Sequence, residues 1–220
     1  MKEIFQGVFE SRGKILTRNL VPGTRVYGEK LFSVKRKEYR EWIPFRSKLC
    51  AAIKNGLKKL PLESGDNVLY LGAAEGTTAS HLSDIIGRDG MLFGVDIAEK
   101  TMKKFLEVCE CRGNMVPLLA DAGSPESYAE YIRGIEIDLL YQDIAQKNQA
   151  EIFNRNARAF LKKGASGIIA VKAQSVSSTR APEKIFAEQE SVLKKEFKVL
   201  QAVNLKPFEK DHVLYVLEKN

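Results

Sequence analysis

From Asp66 to the end of the chain, apolar residues recur in two alternating rhythms. Short unbroken runs, "NVLYLG", "MLFGVD", "MVPLLAD", "EIDLLYQD" and "ASGIIAVKA", predict strands buried on both faces. Between them, "TTASHLSDII", "EKTMKKFLEVCECR", the short "SPESYAEYI", "KNQAEIFNRNARAFLK" and "APEKIFAEQESVLKKE" carry apolar residues three and four apart and predict helices. Two further strand runs, "FKVLQAVNL" and "HVLYVLEK", close the chain. This β-α-β-α order predicts an α/β fold, a mostly parallel seven-stranded doubly wound sheet with helices on both faces. The connection "KPFEKD" is too short for a crossover, so the C-terminal strand runs antiparallel to its predecessor.

Ahead of this region the rhythm differs. "GVFES", "KILTRN", "TRVYGEKLFSV" and "EYREWI" are β-type runs punctuated by Gly13, Pro22-Gly23 and Gly28, with "NLVPGTRVYGEK" as a long loop. Ser47 to Leu60 then reads as a helix ended by Pro61. The expected organisation is a small β-rich basic N-terminal domain, residues 1–45, followed by a larger domain, residues 46–220. The pattern shows no internal repeat and no low-complexity linker.

Composition narrows the class. With 44% apolar and 29% charged residues, and no apolar run of membrane-spanning length, the chain is expected to be globular, cytoplasmic and free of membrane contact. Cys50, Cys109 and Cys111 have no zinc-type spacing and are expected to be reduced thiols, with no metal site. Charge is uneven: residues 1–60 carry 15 Lys/Arg against 5 Asp/Glu, while the remainder is slightly acidic. A basic end of this kind is either a solvated surface or the face that meets a polyanion.

The strand-to-helix turn "VLYLGAAEGTTASHL", Val68 to Leu82, is the first candidate site. Gly72, Ala73 and Gly76 let backbone approach a ligand, and Thr77 and Thr78 open the following helix. A tight packing turn would look the same, so the neighbouring strands decide. Asp96 ends the second strand, 24 residues after Gly72, where a carboxylate can hold both hydroxyls of a ribose. Asp121 and Ala122 end the third, beside an adenine position, and Asp143 ends the fourth. The turn lacks the second glycine of a dinucleotide fingerprint, and Glu75 would repel a pyrophosphate. S-adenosylmethionine, whose sulfonium is positive, suits the turn better.

A second set of polar residues reaches the same edge. Asp143 and Lys172 each follow an apolar run, and His212 begins the antiparallel last strand, so topology alone brings all three to the carboxyl rim. His81, inside the first helix, is expected to be structural. Lys48, early on the preceding helix, is either surface charge or a fourth member. A base beside a cationic methyl donor points to a hydroxyl acceptor, which is a poor nucleophile until its proton is taken.

Together these residues resemble the fibrillarin family, the RNA ribose 2′-O-methyltransferases of box C/D ribonucleoproteins. The resemblance rests on "VYGEK", "EYREWIPFRSKL", "VLYLGAAEGTTASHLSDI", "LLYQDIAQKNQAEIF", "VKAQSVSSTR" and "PFEKDH". With no Gly/Arg-rich stretch before them, these segments are most similar to the compact archaeal form. The resemblance implies the Rossmann-like class I methyltransferase fold and a catalytic set of Lys48, Asp143, Lys172 and His212. It implies S-adenosylmethionine contacts at Thr77, Thr78, Asp96, Ile97, Asp121, Ala122, Asp143, Ile144, Ala145 and Gln146. It also implies ribosomal or transfer RNA as substrate, a guide RNA that selects the target, a Nop-type scaffold protein and a kink-turn-binding protein. The chain departs from the family at Glu75, commonly serine, and at Asp96, commonly glutamate. Competing readings are a small-molecule methyltransferase, a nicotinamide oxidoreductase, and an RNA-binding scaffold with a vestigial pocket.

Overall fold

The computed structural model describes all residues from Met1 to Asn220. Five short strands open it: β1 (Lys2–Phe5), β2 (Val8–Ser11), β3 (Lys14–Arg18), β4 (Leu31–Val34) and β5 (Lys37–Trp42). They form one antiparallel sheet in the order β1-β2-β3-β5-β4. The hairpins were expected, but β1 was not, because four residues carry too little alternation to be seen. The run "TRVYGEKLFSV" becomes strand only at Leu31–Val34. Upstream, the Glu29 carboxylate takes the N–H groups of Val26 and Tyr27, so the chain folds around that side chain instead of pairing.

A 3₁₀ turn (Pro44–Arg46) leads into α1 (Lys48–Lys54), where the Ser47 hydroxyl accepts the Cys50 N–H as an N-cap. The helix is shorter than the expected Ser47–Leu60. Asn55 caps it and the chain turns at Gly56, after which the Leu57 N–H returns to Ala52 and the Lys58 N–H to the Gln201 amide oxygen.

Next come β6 (Asn67–Leu71), α2 (Thr77–Ile86), β7 (Met91–Asp96), α3 (Glu99–Glu110), β8 (Met115–Leu119), α4 (Ala129–Ile132), β9 (Ile137–Gln142) and α5 (Gln149–Phe160). β10 (Leu161–Lys172), α6 (Ala173–Val176), α7 (Pro182–Leu193), β11 (Phe197–Asn204) and β12 (His212–Lys219) complete the chain. The sheet runs β11-β12-β10-β9-β6-β7-β8. It is the expected mostly parallel sheet, with β12 antiparallel to both β10 and β11. The single turn α6 was not foreseen, since four residues hold no helical period.

Alternate residues of each strand face two cores, as continuous apolar strands require. Val68 and Tyr70 join α1, α2, α3 and the first sheet on one side. Leu69 and Leu71 join α4, α5 and α7 on the other. No helix is long and apolar enough to cross a membrane.

Ions seal the first sheet to α2. Arg40 is fully buried and donates to Glu29 (2.5 Å), Asp84 (2.9 Å) and the Ser80 hydroxyl (2.9 Å). Arg112 reaches the other Asp84 oxygen at 2.8 Å. His81 bridges the Thr17 and Tyr27 hydroxyls, 2.7 Å each. Burial, then the charges of Arg40 and Arg112, hold its pKa well below the ordinary imidazole value. His81 is structural, as its place in the helix suggested.

Candidate functional site

The sheet order reverses between β6 and β9, the point where open α/β sheets bind ligands. There the ends of the two strands touch: the Asp143 N–H donates to the Leu71 carbonyl at 2.9 Å. Gly72 follows at φ 85°, and a Cβ on it would collide with the Asp143 carbonyl oxygen. Only glycine fits that approach. Ala74 also takes a positive φ, 48°, which is costly for a residue with a Cβ. Its N–H is captured at 2.8 Å by Asp96, which also accepts the Ala98 N–H at 2.9 Å. One carboxylate thus ties the turn after β6 to the turn after β7.

Beside this turn lies a cleft of about 470 Å³, and a second groove of about 260 Å³ continues it past Gly72, Ala74, Asp143, Ile144 and Ala145. Lys48, Ala73, Thr77, Thr78 and Lys172 line the cleft. Asp96, Ile97, Asp121, Ala122 and Gln146 line the groove. Gly76 lines neither. At φ 87° it caps α2 against Phe105.

Lys48 Nζ lies 2.9 Å from the Asp143 carboxylate, so α1 and β9 meet in an ion pair whose side chains are about one-fifth exposed. Lys172 lines the same cleft without a carboxylate partner. Its backbone is held from both sides by one side chain: the Gln149 amide oxygen accepts the Lys172 N–H and the amide nitrogen donates to the Lys172 carbonyl, each at 3.0 Å. β9 pairs with β10 only as far as Gln142–Ile169, so the Gln149 amide stands where the strand has peeled away.

His212 is the antiparallel partner of Lys172. Its ring is buried, and Nδ1 is 2.6 Å from the Lys210 carbonyl. A carbonyl only accepts, so Nδ1 carries the proton and the neutral ring keeps Nε2 as an acceptor. Burial lowers the His212 pKa, as does the Lys48 charge, against the opposing pull of the Lys210 carbonyl and Glu209.

Glu75 is half-exposed and paired with Lys104 at 2.5 Å. That hydrogen bond, with the charges of Lys104, Arg46 and Lys100, holds its pKa below the usual carboxylate value. Glu75, one of the two departures from the family pattern, is therefore charge-compensated within the protein.

Sequence reasoning missed Arg46, Tyr70 and Thr101, which also line the cleft, Ala120 in the groove, and Gln149 behind them. Arg46 adjoins Lys48 in "RSK" and was within reach of the same reading. A lone glutamine carries no signal before the fold is known.

A profile of the family described as Fibrillarin matches residues 1–220. The "Fibrillarin-like rRNA/tRNA 2′-O-methyltransferase" of Pyrococcus abyssi is 46% identical over 223 positions, spanning 99% of this chain and 97% of the relative. Among solved structures, Aeropyrum pernix fibrillarin in complex with natively bound S-adenosyl-L-methionine is similar at a TM-score of 0.86 and 44% identity, over 93% of this chain and 88% of that one. The fibrillarin of a fibrillarin/Nop5p complex is similar at a TM-score of 0.91 and 40% identity, over the whole of both chains.

Proposed function

The chain belongs to the fibrillarin family, and from that premise we infer that it is an S-adenosylmethionine-dependent RNA 2′-O-methyltransferase acting on ribosomal or transfer RNA. The observation that carries this reading is the convergence of Lys48, Asp143 and Lys172 on one cleft at the switch point of the sheet. The small-molecule and nicotinamide readings account for neither the paired lysines nor the basic end.

The residues present fit the cofactor. Asp96 and the Asp121–Ala122 segment suit an adenosine, with Asp96 yielding its weakest bond, Thr101 Oγ1 at 3.3 Å, to a ribose hydroxyl. Gly72, Ala73, Thr77 and Thr78 would cradle the amino-acid end, and Ile97, Ile144, Ala145 and Gln146 the ring. When bound, S-adenosylmethionine supplies an electrophilic methyl group.

The chain's own residues then act on the acceptor. Lys172 Nζ takes the proton of the ribose 2′-hydroxyl, raising its nucleophilicity. Asp143 anchors Lys48 and leaves the cation of Lys48 facing the developing charge of the acceptor. His212 offers Nε2 to the acceptor nucleotide. Much of the acceleration is positional, since α1, β9 and β10 hold Lys48, Asp143 and Lys172 around one cleft, while His212, outside its lining, is buried on β12 beside Lys172.

The similarity to a fibrillarin/Nop5p complex supports a Nop-type scaffold as partner. A guide RNA that pairs with the target and a kink-turn-binding protein complete the assembly in this reading, and the isolated chain has little activity on bare RNA.

Calorimetric titration with S-adenosylmethionine, with NAD as control, tests the cofactor. Binding of the methyl donor alone is expected, followed by guide-dependent ribose methylation in the reassembled complex. Binding of NAD alone would overturn the reading.

A further inference from the structure

The rim of the cleft carries an apolar feature that neither folding nor proton transfer uses. Phe45 stands three residues before Lys48, in the 3₁₀ turn, and is 65% exposed. Its ring centroid lies 5.0 Å from that of Phe208, edge to face. Phe208 sits in the connection four residues before His212 and packs on the core, so it braces a Phe45 that projects into solvent. Arg46 lines the cleft beside this pair, and Lys206 and Lys210 are exposed on the same connection. Glu209 and Asp211 stand on the same connection, Asp211 accepting from the Gln174 amide at 3.3 Å, so Arg46, Lys206 and Lys210 outnumber the acids by one. A braced aromatic knob inside a cationic rim suits a polyanion with apolar faces.

In the reading proposed above, on which this inference rests, the target nucleotide is paired to a guide. Paired bases are covered above and below by their neighbours, and their 2′-hydroxyls line the wide, shallow minor groove of an A-form helix. A protein reaching a 2′-hydroxyl from that groove meets the C–H faces of the riboses, which complement the negative face of an aromatic ring. We propose that Phe45, braced by Phe208, packs against riboses of the substrate strand beside the target and sets how deeply the target hydroxyl enters the cleft.

The test uses the complex assembled from this protein, scaffold, kink-turn-binding protein, guide and end-labelled substrate RNA. Replacing Phe45 by p-benzoylphenylalanine puts there a photoreactive group that inserts into C–H bonds. A cross-link to the substrate strand next to the target is expected. Phe45→Ala, at an exposed position, should slow single-turnover methylation roughly three- to tenfold, the range of one aromatic contact. Cofactor and scaffold binding should be unchanged, Phe45→Tyr should keep the rate, and Phe208→Leu should fall between. Cross-linking only to the scaffold or the guide, or full activity in Phe45→Ala, overturns the proposal. A wild-type complex that transfers no methyl group would sink the functional reading by itself, and the cross-link to paired RNA would still decide the docking.

Discussion

Lys48 and Asp143 are 95 positions apart in sequence and 2.9 Å apart in space. That pair divides what the residues disclosed in advance from what they did not. Asp143, Lys172 and His212 were legible from topology, because each ends or begins a strand at one edge. Lys48 was not: it sits on a short helix outside the β-α repeat, and only resemblance singled it out. Gln149 was invisible, since its role is to replace a strand that has turned away. If Lys172 is the base, Lys172→Ala lowers guided methylation by about 10²-fold or more while calorimetry finds cofactor affinity intact. His212 supplies a pH signature. Its folded pKa is depressed, so the ring stays neutral at pH 7 and gains a proton only below the ordinary imidazole value of about 6.5. Protonation fills Nε2. The transfer rate should therefore decline on the acid side of that value, and His212→Gln, which keeps an acceptor, should flatten this limb of the pH profile.

At the level of elements, the long runs were read well and the short pieces poorly. Seven strands and the helices between them follow from period alone, whereas β1 and α6 are four residues each and α1 stops six residues early. Those errors share one cause. Where an element holds a single turn or pair, tertiary hydrogen bonds set its bounds, as the Lys58–Gln201 bond does after α1. The turn after β6 shows how little freedom a functional element keeps. Gly72→Ala places a Cβ at φ 85° against the Asp143 carbonyl. A cost of about 1–3 kcal/mol is expected for the backbone alone. Thermal unfolding should show a melting point several degrees lower, and calorimetry a weakened cofactor site, because Asp143 must move.

Across the whole molecule, the sheet and its switch point were legible and the join between the two sheets was not. Arg40 belongs to the basic end that suggested an RNA-facing surface, yet it is buried with Glu29, Asp84 and Arg112 from separate segments. Sequence cannot tell a buried charge from a solvated one when its partners are distant. Arg40→Met would leave buried Glu29 with no cation and Asp84 with Arg112 alone, and denaturant titration should register a loss of about 3–5 kcal/mol. His81 adds a pH dependence to the same join. Its folded pKa lies well below the unfolded value, so the unfolded chain takes up the proton first and stability falls as pH drops below about 6.5. His212 shifts in the same direction. Each imidazole contributes a slope of at most about 1.4 kcal/mol per pH unit, and His81→Gln should remove one of them in pH-dependent denaturation curves. The buried cluster has one more consequence. At 1 M salt the screening length shrinks to about 3 Å, enough to quench the pull of Arg46, Lys206 and Lys210 on phosphates. No solvent separates Arg40 from Asp84, so ions in the medium have no path between them. Brine should wash RNA from this protein and leave the two sheets clasped.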